Sequence, residues 1–442
     1  MIDSLLFKDI EIVTPDKVIT GDVLIKNGKI VDIGWDIPPH AEMIVHEPGL
    51  TLMPGVIDPH VHLRDPGADW KEDFESGSKA GASGGVTSFF DMPNTTPATT
   101  TQEIMAQKKL IASKKSIINY NFYIGATTEN IDELNQCPNI PGIKVFMGSS
   151  TGSLLVDKKE DLTRIFSNGK RLIAVHAEDE AMVQANKKKY ESSTDPNDHM
   201  LIRDDAAALK ATQLAVSLAK RFNRRLHILH LTTLDEALFL EKEVNTGLIT
   251  TEVSPQHLLL WGPEIYNRLG TLAQINPPIR TKRHADGLWR ALKNGVIQCI
   301  ATDHAPHTLD EKLQAFGKAP SGMPGIETSL PLLLTLVNQN RCTIKDVCRW
   351  TSEAPAQLFG IRGKGRIETG FDADLVLVDL KARRIIKNNT TVSRCGWSAF
   401  EGHKIQGLPI ATFVNGQMVF REGDFFTDIK GKEIQISAPW ER

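Results

Sequence analysis

Apolar and polar positions alternate over short stretches at both ends of the chain, whereas the middle follows a longer pattern. The alternation is typical of half-buried strands, and Asn-Gly pairs at Asn27-Gly28 and Asn415-Gly416 indicate hairpin turns between them. Both ends of the chain are therefore predicted to be β-rich. The strand-like segments are 5–13, 22–34, 43–55, 372–380 and 411–423.

Between these ends, short apolar strands alternate with helical stretches. The clearest helix is predicted over 204–222, where apolar residues recur at helical spacing. Eight βα units in roughly 300 residues are typical of a TIM-type (β/α)8 barrel, and a doubly wound open sheet is the alternative. The eight strands are predicted at 54–58, 85–91, 118–124, 142–146, 171–175, 226–230, 248–253 and 297–302.

Each terminal segment is too small to bury a core alone, so we expect the two to pack together beside the barrel. The predicted α/β architecture has a composite small β-domain, a β-sandwich built from residues 1–53 and 365–442. Residues 54–364 form the barrel in this prediction.

Composition and charge exclude several classes of partner. Among 442 residues, 51 are Lys or Arg and 54 are Asp or Glu, so the net charge of −3 gives no reason to expect nucleic acid or an anionic membrane. The longest apolar runs, such as 330–337, are far shorter than the ~20 residues that span a bilayer. The first residues lack the pattern of a signal peptide. The five cysteines form no CxxC pair and indicate reduced thiols, so we expect a cytoplasmic protein.

Metal-binding residue types stand at the ends of the predicted strands. His60 and His62 leave the first strand at a spacing that puts both imidazoles on one side of an extended chain. Such a pair by itself equally fits two ordinary histidines. However, His176, His230 and Asp303 end the fifth, sixth and eighth strands, and the carboxyl ends of barrel strands meet at one mouth. Imidazole and carboxylate groups gathered there suit zinc or a similar divalent metal.

Lys144 lies within the fourth strand, where a charged side chain costs free energy unless it is paired. An ammonium beside divalent cations would also be repelled. Three interpretations are open: the side chain extends to solvent, it pairs with a carboxylate, or CO2 carboxylates its Nζ. Chemistry alone favours the ion pair.

Six motifs in one order along nearly the whole chain resemble those of the amidohydrolase superfamily, and specifically its dihydroorotases. The motifs are DPHVHLRDPG (58–67), DMPNT (91–95), the strand lysine, VHAE (175–178), HILHLTT (227–233) and ATDHAPHT (301–308).

The resemblance implies two zinc ions per chain in the mouth of the barrel. His60, His62 and Asp303 would hold one ion, and His176 and His230 the other. Lys144, carboxylated on Nζ, and a hydroxide would bridge the two. The implied reaction is the reversible cyclisation of N-carbamoyl-L-aspartate to L-dihydroorotate in de novo pyrimidine biosynthesis. In the hydrolytic direction the hydroxide attacks the ring carbonyl, and Asp303 carries its proton to the leaving nitrogen.

The resemblance also implies the residues that select the substrate. Arg64, Asn94 and His307 would grip its carboxylate, Asn276 would contact the substrate, and Ser321-Gly322 would supply backbone contacts. Ser321 departs from the Phe or Pro often found at that position. The glycine-bounded segment 148–153 corresponds to a lid, with Ser150 and Thr151 as its hydroxyl groups, although a plain surface turn fits it equally.

Two other functions stay open. Residues 396–419 resemble dihydropyrimidinases, hydantoinases and allantoinases as much as dihydroorotases, but those enzymes lack Arg64 and tend to carry a tyrosine where this chain has Ser149. A catalytically inactive barrel is the third interpretation, although every implied ligand position is filled. The resemblance favours a small-molecule substrate and a homodimer, with no nucleic-acid or membrane partner.

Overall fold

A computed structural model describes residues 2–150 and 152–437 of the chain. Five strands precede the barrel: β1 (Ser4–Val13), β2 (Val18–Lys26), β3 (Lys29–Gly34), β4 (Met43–His46) and β5 (Thr51–Pro54). The next nine are β6 (Val56–Val61), β7 (Val86–Asp91), β8 (Asn119–Phe122), β9 (Ile124–Gly125), β10 (Ile143–Phe146), β11 (Ile173–His176), β12 (Leu226–Ile228), β13 (Ile249–Val253) and β14 (Cys299–Ile300). The last four are β15 (Leu375–Ile385), β16 (Lys404–Val414), β17 (Gln417–Arg421) and β18 (Asp424–Phe425).

Helices separate the strands of the middle region. The first eight are α1 (Phe74–Ser83), α2 (Gln102–Lys115), α3 (Ile131–Gln136), α4 (Lys159–Ser167), α5 (Glu180–Lys189), α6 (His199–Ile202), α7 (Asp205–Phe222) and α8 (Leu234–Leu240). The others are α9 (Pro255–Leu259), α10 (Glu264–Leu269), α11 (Lys282–Lys293), α12 (Leu309–Lys312), α13 (Ser329–Asn338), α14 (Ile344–Cys348) and α15 (Ala354–Leu358). Helix α7 confirms the helix predicted over 204–222, and the Asp204 side chain caps it by accepting the Ala207 N–H.

The eight predicted strands form a closed parallel barrel, as the sequence indicates. Strands β6, β7 and β8 pair in order, as do β9 to β14, and β8 and β9 are separated only by Tyr123. The ring closes where His304, just after β14, pairs with Val61 of β6, and the His62 N–H donates to the His304 carbonyl over 2.8 Å. An open sheet, the alternative architecture, is therefore excluded.

The two ends of the chain share one nine-stranded sheet beside the barrel. Strand β5 pairs antiparallel with β15, which joins the N-terminal strands to the C-terminal ones. Ile30 of β3 and Phe413 of β16 lie in one apolar cluster although their strands are far apart in the sheet, so the sheet folds over onto itself as a small sandwich. The Phe7 and Phe413 rings meet edge to face at 5.1 Å in this core.

Residues 431–437 return to the barrel after the last strand. Glu433 pairs with Tyr120 of β8, and the Ile434 N–H donates to the Tyr120 carbonyl over 2.9 Å. All five cysteines are free, as predicted. Among the described residues, every helix falls short of the length and apolar character needed to cross a membrane.

A buried ion pair fixes α2 against the mouth of the barrel. Lys108 Nζ lies 2.6 Å from Asp91 Oδ2, and both side chains are 0% exposed. Asp91 Oδ1 accepts the Leu63 N–H over 2.6 Å, so the same carboxylate also holds the turn that follows His62. Burial lowers the pKa of Lys108 and raises that of Asp91, and the charge of each partner opposes the shift of the other.

We expect Lys108→Met to lower the free energy of unfolding by about 3–5 kcal/mol, because it leaves the Asp91 charge buried and unpaired. Lys79→Met removes a lysine from an exposed pair with Glu75 on α1 and is the matched control, with an expected loss of ~0.5 kcal/mol. Urea unfolding of both variants gives the two values. Equal losses would show that the buried pair contributes no more than a surface pair.

Candidate metal centre

The ends of five barrel strands deliver the predicted ligands into one cavity. His60 lies in β6, Lys144 in β10 and His176 at the end of β11, whereas His230 and Asp303 follow β12 and β14 by two and three residues. All five residues are more than nine-tenths buried. The cavity is narrow, with a volume of about 20 Å³. Its lining includes His60, His62, Arg64, Asn94, Lys144, Ser150, His176, His230, Asn276, Asp303, Ser321 and Gly322.

The backbone is strained at three of these positions. Arg64, His230 and Asp303 have φ of 62°, 34° and 46°, a left-handed region that side-chain-bearing residues seldom adopt. Such conformations cost of order 1–3 kcal/mol each and tend to occur at functional sites, where they aim a side chain. Here each one turns a strand end toward the cavity.

Asp303 lies between the two histidines of the first strand. Its Oδ1 is 3.3 Å from His60 Nε2 and 3.2 Å from His62 Nε2. Burial opposes ionisation of Asp303, but the neighbouring imidazoles hold its pKa well below the ordinary value. Burial also lowers the pKa of His62 to about 3, so that imidazole is neutral and offers a lone pair.

His176 and His230 form a second pair across the cavity. His176 Nδ1 lies 3.0 Å from His230 Nε2, and burial lowers the pKa of both. His60 Nε2 and His230 Nδ1 are buried with no hydrogen-bond partner, which is costly for a polar atom unless something else binds it. Ligand atoms of His60, His230 and Asp303 all lie within 4.8 Å of one another. These residues therefore fit a divalent metal. Their residue types are those of metal ligands, and buried nitrogens without a hydrogen-bond partner are available to bind it.

The surroundings of Lys144 contradict the ion pair that chemistry alone favoured for this residue. The side chain is 1% exposed, so it does not extend to solvent. No carboxylate of the described residues lies within ion-pair distance of its Nζ, which instead sits 4.5 Å from the centre of the Phe146 ring. Burial lowers the pKa of Lys144 to about 7 although Asp303 and Glu252 attract its charge from farther away. A simple ion pair is therefore wrong for this lysine, and burial favours its neutral amine.

Sequence reasoning missed the carboxylates that hold the ligands in place. Glu252 of β13 accepts from His60 Nδ1 at 2.6 Å and from His227 Nε2 at 3.1 Å. Burial opposes its ionisation, but attraction by and hydrogen bonds from His60 and His227 hold the pKa of Glu252 at about 2. Glu178 likewise accepts a hydrogen bond from His176 Nε2 at 2.8 Å, and it forms an ion pair with Arg203. Two features of the sequence could have indicated these carboxylates: Glu252 lies inside an apolar strand, and Glu178 ends the VHAE motif.

Asp58 is a further carboxylate that the sequence did not single out. Its Oδ1 accepts the Thr302 N–H over 3.0 Å, and its Oδ2 accepts the Thr302 hydroxyl over 2.5 Å. Burial raises the pKa of Asp58 to about 6 despite these hydrogen bonds. Asp58 thus ties the first barrel strand to the residue before Asp303.

Most of the predicted substrate residues surround the same cavity, with differences in detail. Asn94 Oδ1 lies 2.7 Å from His62 Nδ1, so Asn94 orients a candidate ligand as well as facing the cavity. Asn276 Oδ1 is buried without a hydrogen-bond partner. His307 does not line the cavity but stands behind Arg64 and Ser321, with its Nε2 at 3.3 Å from Arg64 Nη2 and 3.2 Å from the Ser321 carbonyl.

Gly322 is required where it stands. Its φ is 145°, and a Cβ there would approach the Ala305 carbonyl oxygen to 2.5 Å and the His307 ring to 2.9 Å. Of the two lid residues, Ser150 lines the cavity, and Thr151 lies outside the described residues.

The chain is similar to known cyclic amide hydrolases in sequence and in structure. Residues 51–419 match the model of the amidohydrolase family. A dihydroorotase of Methanosarcina acetivorans is 36% identical over 418 residues, 91% of this chain and 88% of the relative. A dihydroorotase of Methanothermobacter thermautotrophicus is 35% identical over 416 residues, 92% of this chain and 93% of the relative.

Solved structures with a similar fold carry other names. L-hydantoinase (dihydropyrimidinase) from Arthrobacter aurescens superposes with a TM-score of 0.93 at 29% identity, covering 98% of this chain and all of that one. Dihydropyrimidinase from Brevibacillus agri superposes with a TM-score of 0.90 at 29% identity, covering 99% of this chain and 100% of that one.

We expect Glu252→Gln to weaken Zn²⁺ binding by about 10- to 100-fold, the usual effect of losing a carboxylate that orients a metal-binding histidine. The amide keeps the shape but not the charge that holds His60 and His227. Glu264→Gln, on the exposed first turn of α10, is the control. Competition with a chelator of known affinity measures the Zn²⁺ affinity of both variants. An unchanged affinity would mean that Glu252 only fills space.

Proposed function

This chain belongs to the amidohydrolase family, and on that premise we propose that it is a dihydroorotase, which interconverts L-dihydroorotate and N-carbamoyl-L-aspartate. The names of the relatives that match over nine-tenths of the chain support this substrate. One observation in the site carries the proposal: a buried arginine stands beside the candidate metal ligands without a carboxylate of its own.

Arg64 is 6% exposed, and its Nε donates to the Pro306 carbonyl over 3.0 Å. Among the described residues, no carboxylate comes within 4 Å of its guanidinium. Burial lowers the pKa of Arg64 to about 10, which leaves it fully charged at pH 7. A buried cation of this kind is compensated when a ligand brings an anion, and a guanidinium matches a carboxylate in a two-pronged contact.

The metal content that we propose is two Zn²⁺ per chain. His60, His62 and Asp303 would hold one ion, His176 and His230 the other, with Lys144 between them. Bound divalent ions supply a water of lowered pKa and polarise the carbonyl that is cleaved. Carboxylation of Lys144 joins its neutral amine to CO2 and releases one proton, which converts the lysine from a cation that repels metal into an anionic oxygen ligand.

The side chains of this chain do the remaining work. Arg64 binds the ring carboxylate, and Asn276 and the Ser321–Gly322 backbone orient the ring. In the hydrolytic direction Asp303, whose low pKa keeps it ionised, takes a proton from the attacking water and gives it to the leaving amide nitrogen. The same groups act in reverse during cyclisation.

The structural neighbours favour a second candidate, a dihydropyrimidinase or hydantoinase. The rings that such enzymes open carry no carboxylate for Arg64, so this function would leave its charge buried and uncompensated. The third interpretation, an inactive barrel, conflicts with a full set of candidate ligands in one cavity. A cytoplasmic location and a homodimer stay predictions from the sequence.

We expect Lys144→Ala to lose most of the second zinc ion and at least ~10²-fold in turnover, because the bridging ligand is gone. Short carboxylic acids, which offer the missing oxygen atoms, are expected to restore part of both. Lys170→Ala, on an exposed turn, is the control. Metal analysis and turnover with and without added propionate make the comparison. Normal metal content in Lys144→Ala would rule out the bridging role.

The substrate is tested with Arg64→Met. Removal of a charged partner from a desolvated site costs ~2–5 kcal/mol, so we expect kcat/KM for dihydroorotate to fall by at least ~30-fold. Hydrolysis of dihydrouracil, which lacks the carboxylate, is expected to stay at its low level, and metal content to stay unchanged. An equal fall for both substrates would assign Arg64 to the scaffold, and a parent enzyme that prefers dihydrouracil or allantoin would contradict the dihydroorotase function.

A further inference from the structure

Lys71 stands on the opposite side of the His307 imidazole from Arg64. Its Nζ lies 3.0 Å from His307 Nδ1, whereas Arg64 Nη2 lies 3.3 Å from His307 Nε2. Lys71 does not line the cavity of the candidate metal ligands; it faces an adjoining cleft of about 260 Å³, which Arg64 and Asn94 also line. The hydrogen-bonding contacts that join Lys71 to Arg64 run through His307.

The nearest contact at each nitrogen of His307 favours the same tautomer, although Arg64 Nη2 at 3.3 Å from Nε2 and Glu311 Oε2 at 3.8 Å from Nδ1 favour the other. An ammonium has only donors, so His307 Nδ1 accepts from Lys71 and carries no proton. The neutral imidazole then has its proton on Nε2, and that atom lies 3.2 Å from the Ser321 carbonyl oxygen, which can only accept. The lysine on one side and the carbonyl on the other thus select the same state.

The surroundings of His307 keep the ring neutral. Burial, followed by the charges of Arg64, Lys71 and Lys312, lowers the pKa of His307 far below the ordinary value. Lys312 is 0% exposed and donates to the carbonyls of Gln274 and Pro320, each over 2.8 Å. No second proton is therefore expected on the imidazole at neutral pH.

Glu311 fixes Lys71 in this position. Its Oε1 lies 2.9 Å from Lys71 Nζ, and its Oε2 accepts the N–H of Thr308 over 3.0 Å at the start of α12. The Lys71 side chain is only 14% exposed. An anchored ammonium costs little entropy to hold, so the donor to His307 is present before any ligand binds.

The tautomer decides what Arg64 can do. A protonated Nε2 cannot accept from Arg64 Nη2, so the outer nitrogens of the guanidinium are left for a ligand. In the other tautomer Nε2 would present a lone pair 3.3 Å from Nη2 and compete with an incoming carboxylate.

We propose that Lys71 is a positioning residue that holds His307 as the Nε2–H tautomer and so keeps the Arg64 guanidinium available to the carboxylate of the substrate. The identity of that substrate rests on the proposed dihydroorotase function, whereas the tautomer does not.

The kinetic test uses Lys71→Met and Lys71→Arg in the zinc-loaded enzyme. The methionine variant removes the donor, and we expect KM for dihydroorotate to rise about tenfold or more with a much smaller change in kcat. The arginine variant keeps a donor and is expected to restore KM largely. Lys318→Met, an exposed lysine on a nearby segment, is the control for loss of charge alone. An equal effect of Lys71→Met and Lys318→Met would overturn the proposal.

The spectroscopic test reads the tautomer directly. Two-bond ¹⁵N–¹H correlation spectra of protein with ¹⁵N-labelled histidine show which ring nitrogen carries the proton, and His307→Gln identifies the signals. We expect the proton on Nε2 in the parent and in Lys71→Arg, and a large share on Nδ1 in Lys71→Met. A parent with the proton on Nδ1, or a methionine variant that keeps it on Nε2, would overturn the proposal.

The parent spectrum needs neither substrate nor a folded variant, so the test survives if Lys71→Met is unstable. A parent that carries the Nε2 proton yet leaves dihydroorotate intact would contradict the proposed function and leave the role of Lys71 in place.

Discussion

The closure of the barrel between its last and first strands is the contact on which the candidate metal centre depends. His304 pairs with Val61 at this seam, and the pairing carries Asp303 to within 3.3 Å of two imidazoles from the opposite end of the barrel sequence. Asp58 strengthens the seam through Thr302, so the residues on both sides of Asp303 are bonded to the first strand. A ligand set drawn from positions 60 to 303 is possible only because the ring of strands closes here.

Buried imidazoles serve as metal ligands only when they are neutral and correctly turned. Burial favours the neutral form, and carboxylates behind the rings fix their orientation. Glu252 and Glu178 each accept from one nitrogen of a histidine and leave the other nitrogen facing the cavity. Burial would keep these carboxylates protonated, but their basic neighbours keep them ionised, since charges attract strongly where water is excluded. The candidate metal ligands are thus backed by paired acidic and basic side chains that extend from the cavity into the barrel wall.

The substrate side of the cavity differs, because its buried arginine has no carboxylate partner in the described part of the chain. Arg64 is buried without a carboxylate at ion-pair distance, and burial keeps the His307 ring beside it neutral. A substrate that carries a carboxylate would compensate this positive charge, whereas a ring without one would not. Similarity of the backbone, at a TM-score of 0.93, does not choose between the two functions, so the proposed substrate rests on the matched relatives and on Arg64.

The sequence by itself determined the eight barrel strands, helix α7, the joining of both termini in one β-domain, and the side chains that meet in the cavity. These follow from local periodicity and from the rule that parallel strands end at one mouth, which need no knowledge of distant contacts. Only the tertiary structure decided how each side chain is used. The burial of Lys144 away from any carboxylate, the roles of Glu252 and Asp58, and the place of His307 behind Arg64 all depend on neighbours up to 250 residues away in the chain. Charge compensation is a property of three-dimensional surroundings, so residue type and spacing predict which groups are present but not which of them are paired.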